Sequence, residues 1–189
     1  MRSLVCPAGS SIAIFGGGPV GLAAVMGAVI QGCKTIILVE PITSRRDTAH
    51  SLGATHVIDP TNGNLTEIIR AILPGGIDFA FDTTGNVGVI EAAIAALGSH
   101  GAIGLVGVPK LAEASVSINI AQLMTFGLRV IGIIEGDSDP QTFIPELLAL
   151  HAAGKFPFDR LIRTFPLAEI NTAVAAQARG ECIKAVLIP

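Results

Sequence analysis

Tyrosine and tryptophan are both missing from the 189 residues, so no mechanism that depends on a catalytic tyrosine is open to this chain. Charge is scarce too: 14% of residues are charged and the formal net charge is −3. The Lys and Arg residues are scattered and form no basic stripe, so nucleic acid is not an expected partner. The three cysteines, Cys6, Cys33 and Cys182, include no Cys-x-x-Cys pair, which argues against a local zinc knot. They are expected as free thiols, with Cys33 an ordinary core residue rather than a reactive one. The mean hydropathy is high at +0.65. Even so, the longest apolar stretch, Pro19–Ile30, is broken by glycines and closed by Gln31 and Gly32, too short to cross a bilayer. Met1–Cys6 does not read as a signal peptide. A cytoplasmic protein without membrane association is the expectation. His50, His56, His100 and His151 are not spaced with Cys, Asp or Glu as metal ligands. Ser10 and Ser11 have no base placed by the sequence, and no Gly-x-Ser-x-Gly elbow occurs. The chain therefore shows no catalytic constellation of its own.

What the sequence has in abundance is apolar residues, half of the total, enough for a sizeable core. They fall into six short runs: Ser11–Phe15, Thr35–Val39, His56–Ile58, Ile77–Phe81, Ala102–Val106 and Arg129–Ile134. Most are rich in Ile and Val and apolar at consecutive positions, the mark of strands buried on both faces. Helical stretches separate the first five. Pro19–Gln31 begins with proline in its first turn and stops at Gly32. Ser44–Ser51, Leu65–Leu73 and Val87–Leu97 each end at or before glycine or proline. The alternation predicts an α/β fold, a doubly wound parallel six-stranded Rossmann sheet with a C-terminal extension. Beyond Val106 the rhythm loosens. Pro109–Ser117 reads as loop and Ile120–Phe126 as one or two helical turns. Pro140–Ala153 reads as an amphipathic helix. From Phe156 to Pro189 a short strand, a helix near Leu167–Arg179 and a closing strand Ile183–Ile188 are expected. Residues 1–135 are expected to form the nucleotide-binding domain and 136–189 the C-terminal segment.

Chemistry enters where the first strand runs into Gly16-Gly17-Gly18-Pro19-Val20-Gly21, a Gly-x-Gly-x-x-Gly segment. Gly16 permits the tight turn, Gly18 lets a pyrophosphate approach the backbone, and Gly21 lets the helix pack on the strand. The helix N-terminus then offers free N–H groups and a partial positive charge to the phosphates. Position between a strand and a helix is the context that gives such a pattern meaning. Glu40 ends the second strand, where a carboxylate accepts hydrogen bonds from the adenosine ribose hydroxyls and repels a 2′-phosphate. NAD is therefore favoured over NADP. Arg45 reaches the adenosine side or is a solvated helix residue; the sequence leaves both open. The tips Asp82-Thr83-Thr84-Gly85 and Val106-Gly107-Val108-Pro109 lie where ligands of open α/β sheets bind, and their backbone groups are candidates to hold a nicotinamide carboxamide. Asp82 itself reads better as a cap of the following helix.

These segments together resemble the zinc-dependent medium-chain alcohol dehydrogenases. They are Gly9–Leu22, Ile37–Glu40, Leu52–Ile58, Phe81–Gly85 and Gly104–Pro109, with a tail of Phe156–Leu161, Ala168–Asn171 and Gly180–Leu187. Ile134-Glu135-Gly136, Phe143–Leu147 and Gly154–Asp159 are most similar to the aryl- or benzyl-alcohol dehydrogenase branch. The resemblance implies oxidation of a primary, possibly aromatic alcohol to an aldehyde by hydride transfer to NAD. It implies that Gly16, Gly18, Pro19, Val20 and Gly21 meet the pyrophosphate, that Glu40 holds the ribose and Arg45 the adenosine side. Val106, Val108, Ile133 and Ile134 would lie near the nicotinamide, beside the strand-four tip with Thr84 that its position already makes a candidate, and Lys184 would reach the pyrophosphate. It further implies that zinc is held by a catalytic domain preceding this segment. Cys6 and Cys182 do not match its ligand positions, so the chain alone is expected to bind NAD with little or no turnover. A homodimer through the sixth strand is expected. Two rivals share the glycine loop and the strand-two acid: a non-catalytic NAD-sensing module, which has no need of the tail, and an S-adenosylmethionine methyltransferase, which usually ends in an antiparallel strand. A short-chain dehydrogenase is excluded by the missing tyrosine.

Overall fold

In the computed structural model, which describes residues 3–189, five strands follow one another with helices between them. They are β1 (Ser11–Phe15), β2 (Thr35–Val39), β3 (His56–Ile58), β4 (Ile77–Asp82) and β5 (Leu97–Leu105). The intervening helices are α1 (Pro19–Ile30), α2 (Thr43–Ser51), α3 (Leu65–Ile72) and α4 (Val87–Ala96). After a short helix α5 (Ile120–Thr125), β6 (Arg129–Gly132) completes a sheet of order β3-β2-β1-β4-β5-β6. Every pairing in it is parallel. The order reverses between β1 and β4, which opens a crevice at the carboxyl ends of those strands. Met1 and Arg2, part of the segment read above for a leader, lie outside the described residues.

The continuous apolar runs have a direct explanation. Ile12 and Ile14 of β1 join one core cluster, with Leu22, Val25 and Met26 of α1, while Ala13 and Phe15 join the other, with Ile69 of α3 and Ile90 of α4. Ile36 and Leu38 against Ile37 and Val39 divide in the same way. A strand packed on both faces has no use for polar alternation. Burying these side chains at about 25 cal/mol per Å² is the main term that holds the sheet between its two helical layers.

Several boundaries differ from the sequence reading, most by a single residue. Leu97, expected as the end of α4, is the first residue of β5, which opens five residues earlier than expected with an irregular register against Ile77–Phe79. His100, at φ 61°, donates its N–H to the Phe126 carbonyl, so this early part of the strand is pinned by the loop after α5. Glycine-rich, polar Gly98–Gly101 gives no strand signal, because its backbone partners come from far along the chain. β6 stops at Gly132 and β5 at Leu105, which puts Ile133, Ile134 and Val106 just past their strands.

The tail forms α6 (Pro140–Ala152), β7 (Ile162–Pro166), α7 (Ile170–Ala178) and β8 (Lys184–Ile188). β7 and β8 pair parallel in a sheet of their own, joined by α7 as crossover. Phe165, Ala173, Ala176 and Cys182 make its small core. Arg160 fastens this tail to the end of α2 by donating to the Ser51 Oγ at 2.9 Å. No strand in either sheet is antiparallel to its neighbour, unlike the methyltransferase ending weighed above. Among the described residues no helix is long and apolar enough to cross a membrane.

Candidate nucleotide site

At the crevice, β1 turns into α1 through Gly16, whose φ of +100° suits glycine. Gly18 is the N-cap of α1, in extended conformation, and no side chain caps it. Pro19 fills the first position, where its missing N–H costs nothing. A Cβ on Gly21 would collide with the Gly16 carbonyl oxygen, so the helix can only start this close to the strand with glycine there. A Cβ on Gly18, by contrast, would meet nothing within 4 Å. The backbone is left open in front of an uncapped helix terminus, which suits an anion.

Glu40 sits beneath this loop and is only 4% exposed. Its Oε2 accepts the Gly17 N–H at 2.6 Å and its Oε1 accepts the Ile42 N–H at 3.0 Å. Charge-assisted bonds of this kind hold a buried carboxylate in one orientation. Gly17, which the sequence pattern treats as an arbitrary position, has a definite role: a Cβ there would stand 2.8 Å from the Glu40 Cγ. The motif contains no signal for this, because the constraint comes from a residue on the next strand.

Arg45 lies beside that carboxylate, with Nη1 3.9 Å from the Glu40 Oε2. Arg45 is not a solvated helix residue: its side chain is 18% exposed, and its Nε is buried without a hydrogen-bond partner. A buried donor left over in this way costs free energy until something accepts from it. Arg46 turns the other way, donating to the Glu40 and Pro41 carbonyls at 2.7 Å and pairing with Asp59 at 3.1 Å. Hydrogen bonds from Thr61, together with Arg46, hold the Asp59 carboxyl below its ordinary range. Gly18, Pro19 and Arg45 line one side of a cavity of about 500 Å³ whose other side is Val174 and Gln177 of α7 with Ile183, Ala185 and Leu187. Lys184 lies on the alternate face of that strand, is exposed, and is not among the lining residues.

The other end of the crevice is apolar. Val20, Phe81, Val106 and Ile133 line a groove of about 500 Å³ that continues between α1 and α6 to Leu147 and Leu150. Val20 thus shares a groove with Val106 and Ile133, whereas Gly18 and Pro19 line the other cavity. Ile134 and Val108 project further out, 77% and 86% exposed. Thr84 is occupied locally: its N–H and hydroxyl both donate to the Asp82 Oδ1, and the Gly85 N–H donates to Oδ2. Asp82, fully buried, therefore caps the turn after β4, while the cap of α4 is Asn86. The expectation that Asp82 caps the helix is corrected by one turn; the signal missed was the Asn four residues later.

A family profile described as "Zinc-binding dehydrogenase" matches residues 19–152. The chain belongs to this family. The geraniol dehydrogenase of Castellaniella defragrans is 44% identical over 189 residues, covering 100% of this chain and 50% of that protein. Among solved structures, an alcohol dehydrogenase zinc-binding domain protein from Burkholderia ambifaria superposes with a TM-score of 0.95 at 46% identity, covering 99% of this chain and 50% of the other. The benzyl alcohol dehydrogenase of Acinetobacter calcoaceticus gives a TM-score of 0.92 at 36% identity, over 96% and 50% respectively. A zinc-binding dehydrogenase from Sinorhizobium meliloti, solved with NADP bound, is 28% identical with a TM-score of 0.84 over 97% and 53%. The chain thus spans about half the length of these relatives. Among the described residues no group of three or more His, Cys, Asp or Glu is placed to hold a metal ion, so the side chains present do not fit a zinc site.

Proposed function

We propose that this zinc-binding dehydrogenase chain is the NAD-binding part of an alcohol dehydrogenase acting on primary alcohols, aromatic ones included. The observation that carries the reading is Glu40: a buried carboxylate fixed by the Gly17 and Ile42 amides, directly under a glycine loop with open space at Gly18. Residues 1–135 form the binding domain and 136–189 the returning segment. The open backbone at Gly18 and the first turn of α1 receive the pyrophosphate. Glu40 accepts from the ribose hydroxyls through lone pairs that Gly17 and Ile42 leave free. The unpartnered Arg45 Nε finds its acceptor on the adenosine side. Val20, Val106 and Ile133 exclude water from one face of the nicotinamide. When bound, the cofactor supplies hydride acceptance from the alcohol carbon. Polarisation of the alcohol oxygen is assigned to a zinc-bearing catalytic domain, and residues 3–189 by themselves bind cofactor without turning over alcohol.

NAD is favoured over NADP because a 2′-phosphate would face the Glu40 carboxylate, although one family neighbour holds NADP. Calorimetric titration with NADH and NADPH tests this. NADH binding at least tenfold tighter, about 1.4 kcal/mol, supports the assignment; equal affinity removes Glu40 as the discriminating group. The names geraniol and benzyl alcohol dehydrogenase among the relatives support an unsaturated or aromatic primary alcohol. The edge of the sheet at β6, where Val130 is 38% exposed, is proposed as the seam of a cytoplasmic homodimer. Light scattering that shows only monomer overturns that part.

A further inference from the structure

Cys6 and Cys33 lie 27 positions apart, yet the fold brings them together. The segment before β1 runs beside the turn that ends α1: the Cys6 N–H donates to the Gln31 Oε1 at 2.8 Å, and the Gly9 N–H to the Gly32 carbonyl at 2.8 Å. Cys33 packs against the core cluster that contains Cys6, whose Sγ donates to the Leu4 carbonyl at 3.4 Å, and the two thiols are close enough to perturb each other's acidity. They are unequal in access. Cys6 is 3% exposed, while Cys33 is partly exposed. Their acidities diverge as well: interaction with Cys6 lowers Cys33, while interaction with Cys33 and burial raise Cys6. Cys182 is buried in the separate core between β7 and α7, so it serves as an internal reference.

We propose that Cys6 and Cys33 are a reversible dithiol–disulfide couple whose oxidant is a low-molecular-weight disulfide. The accessible Cys33 thiolate attacks one sulfur of the small disulfide; that S–S bond breaks and one small thiolate leaves, taking a proton from water. The Cys6 thiolate, after losing its proton to water, attacks the Cys33 sulfur of the mixed disulfide and expels the second small thiolate, which is protonated in turn. The two protein sulfurs are oxidised, the small disulfide is reduced to two thiols, and no other reactant is needed. The bond closes a loop that contains β1, the glycine segment and α1, restricting the unfolded chain.

The test is to incubate the chain with excess oxidised glutathione and then count thiols under denaturing conditions. The expected result is that the three free thiols fall to one. Peptide mapping should join Cys6 to Cys33 with a mass loss of two hydrogens, dithiothreitol should restore all three, and the Tm should rise on oxidation. Cys182→Ala should leave that loss of two thiols intact. Cys33→Ala should leave Cys6 unreacted in the folded protein. A glutathione adduct that persists on Cys33, a link to Cys182, or three thiols surviving untouched would each overturn the proposal.

Discussion

The two ends of the crevice are built differently. At the Glu40 end the polar groups are already fixed: a buried carboxylate accepts two backbone amides, and Arg45 and Arg46 frame it. At the Val20 end the surface is apolar and open, with Val20, Val108 and Ile134 between half and almost fully exposed. Residues that hold a ligand's constant part can be satisfied within one domain. Those facing its reacting part are left uncovered, because in this reading a second body must reach that place. The contrast predicts that losing the tethered Glu40 carboxylate costs stability and binding together, whereas substitutions at the second end cost binding alone.

The strongest test of that contrast is Glu40→Ala. It strips acceptors from the Gly17 and Ile42 amides, at about 1–3 kcal/mol for each one left buried and unpaired. Thermal melts should show a drop of several degrees, and calorimetry should show NADH affinity lost together with any preference over NADPH. If the melt is unchanged, the carboxylate is not the structural anchor described here. Gly18→Ala separates the two effects within the same end. Its Cβ has open space in the free chain, so stability should move by less than about 1 kcal/mol. NADH binding should nevertheless weaken tenfold or more, and an unaltered affinity would place the pyrophosphate elsewhere. At the open end, Val20→Asp should leave the melt within about 0.5 kcal/mol, since Val20 is half exposed. NADH should bind several-fold more weakly than to the parent, and ADP-ribose equally well. A matching loss for ADP-ribose would break the division into two ends.

The smallest expected effect concerns the brace behind Glu40. The Asp59 carboxyl is lowered by hydrogen bonds from Thr61, with Arg46 adding to them. A carboxyl lowered on folding contributes stability above its unfolded pKa and loses it as pH falls through the folded value. Melting Asp59→Asn and the parent side by side should therefore show a small deficit near neutral pH that closes in acid. A deficit that persists unchanged at low pH would mean that the ionised form is not what matters.

Much of this site is legible along the chain because its parts are local. Gly16, Gly18 and Gly21 declare a turn and a close approach, and Glu40 closes a strand of continuous apolar residues. The same runs reveal a sheet covered on both faces, since Ile12 and Ala13 need opposite layers. What escapes the sequence is set by partners far away in it. Gly17 is fixed by Glu40, and the early start of β5 is fixed by Phe126. The position of Val20 opposite Val106 and Ile133 depends on how three loops converge. The pairing of β7 with β8 in a sheet of their own is likewise invisible to periodicity, which reports that strands exist and not whom they choose.

The tethering of Glu40 has a thermodynamic corollary. An acceptor immobilised during folding has already given up its rotamer freedom, so a ribose that docks on it does not pay that entropy again. In the proposed reading, recognition at this point is therefore a property of the folded turn at Pro41–Ile42 as much as of the acid itself. A change that loosens that turn without touching the carboxylate will act, toward the nucleotide, as a less well-placed acceptor.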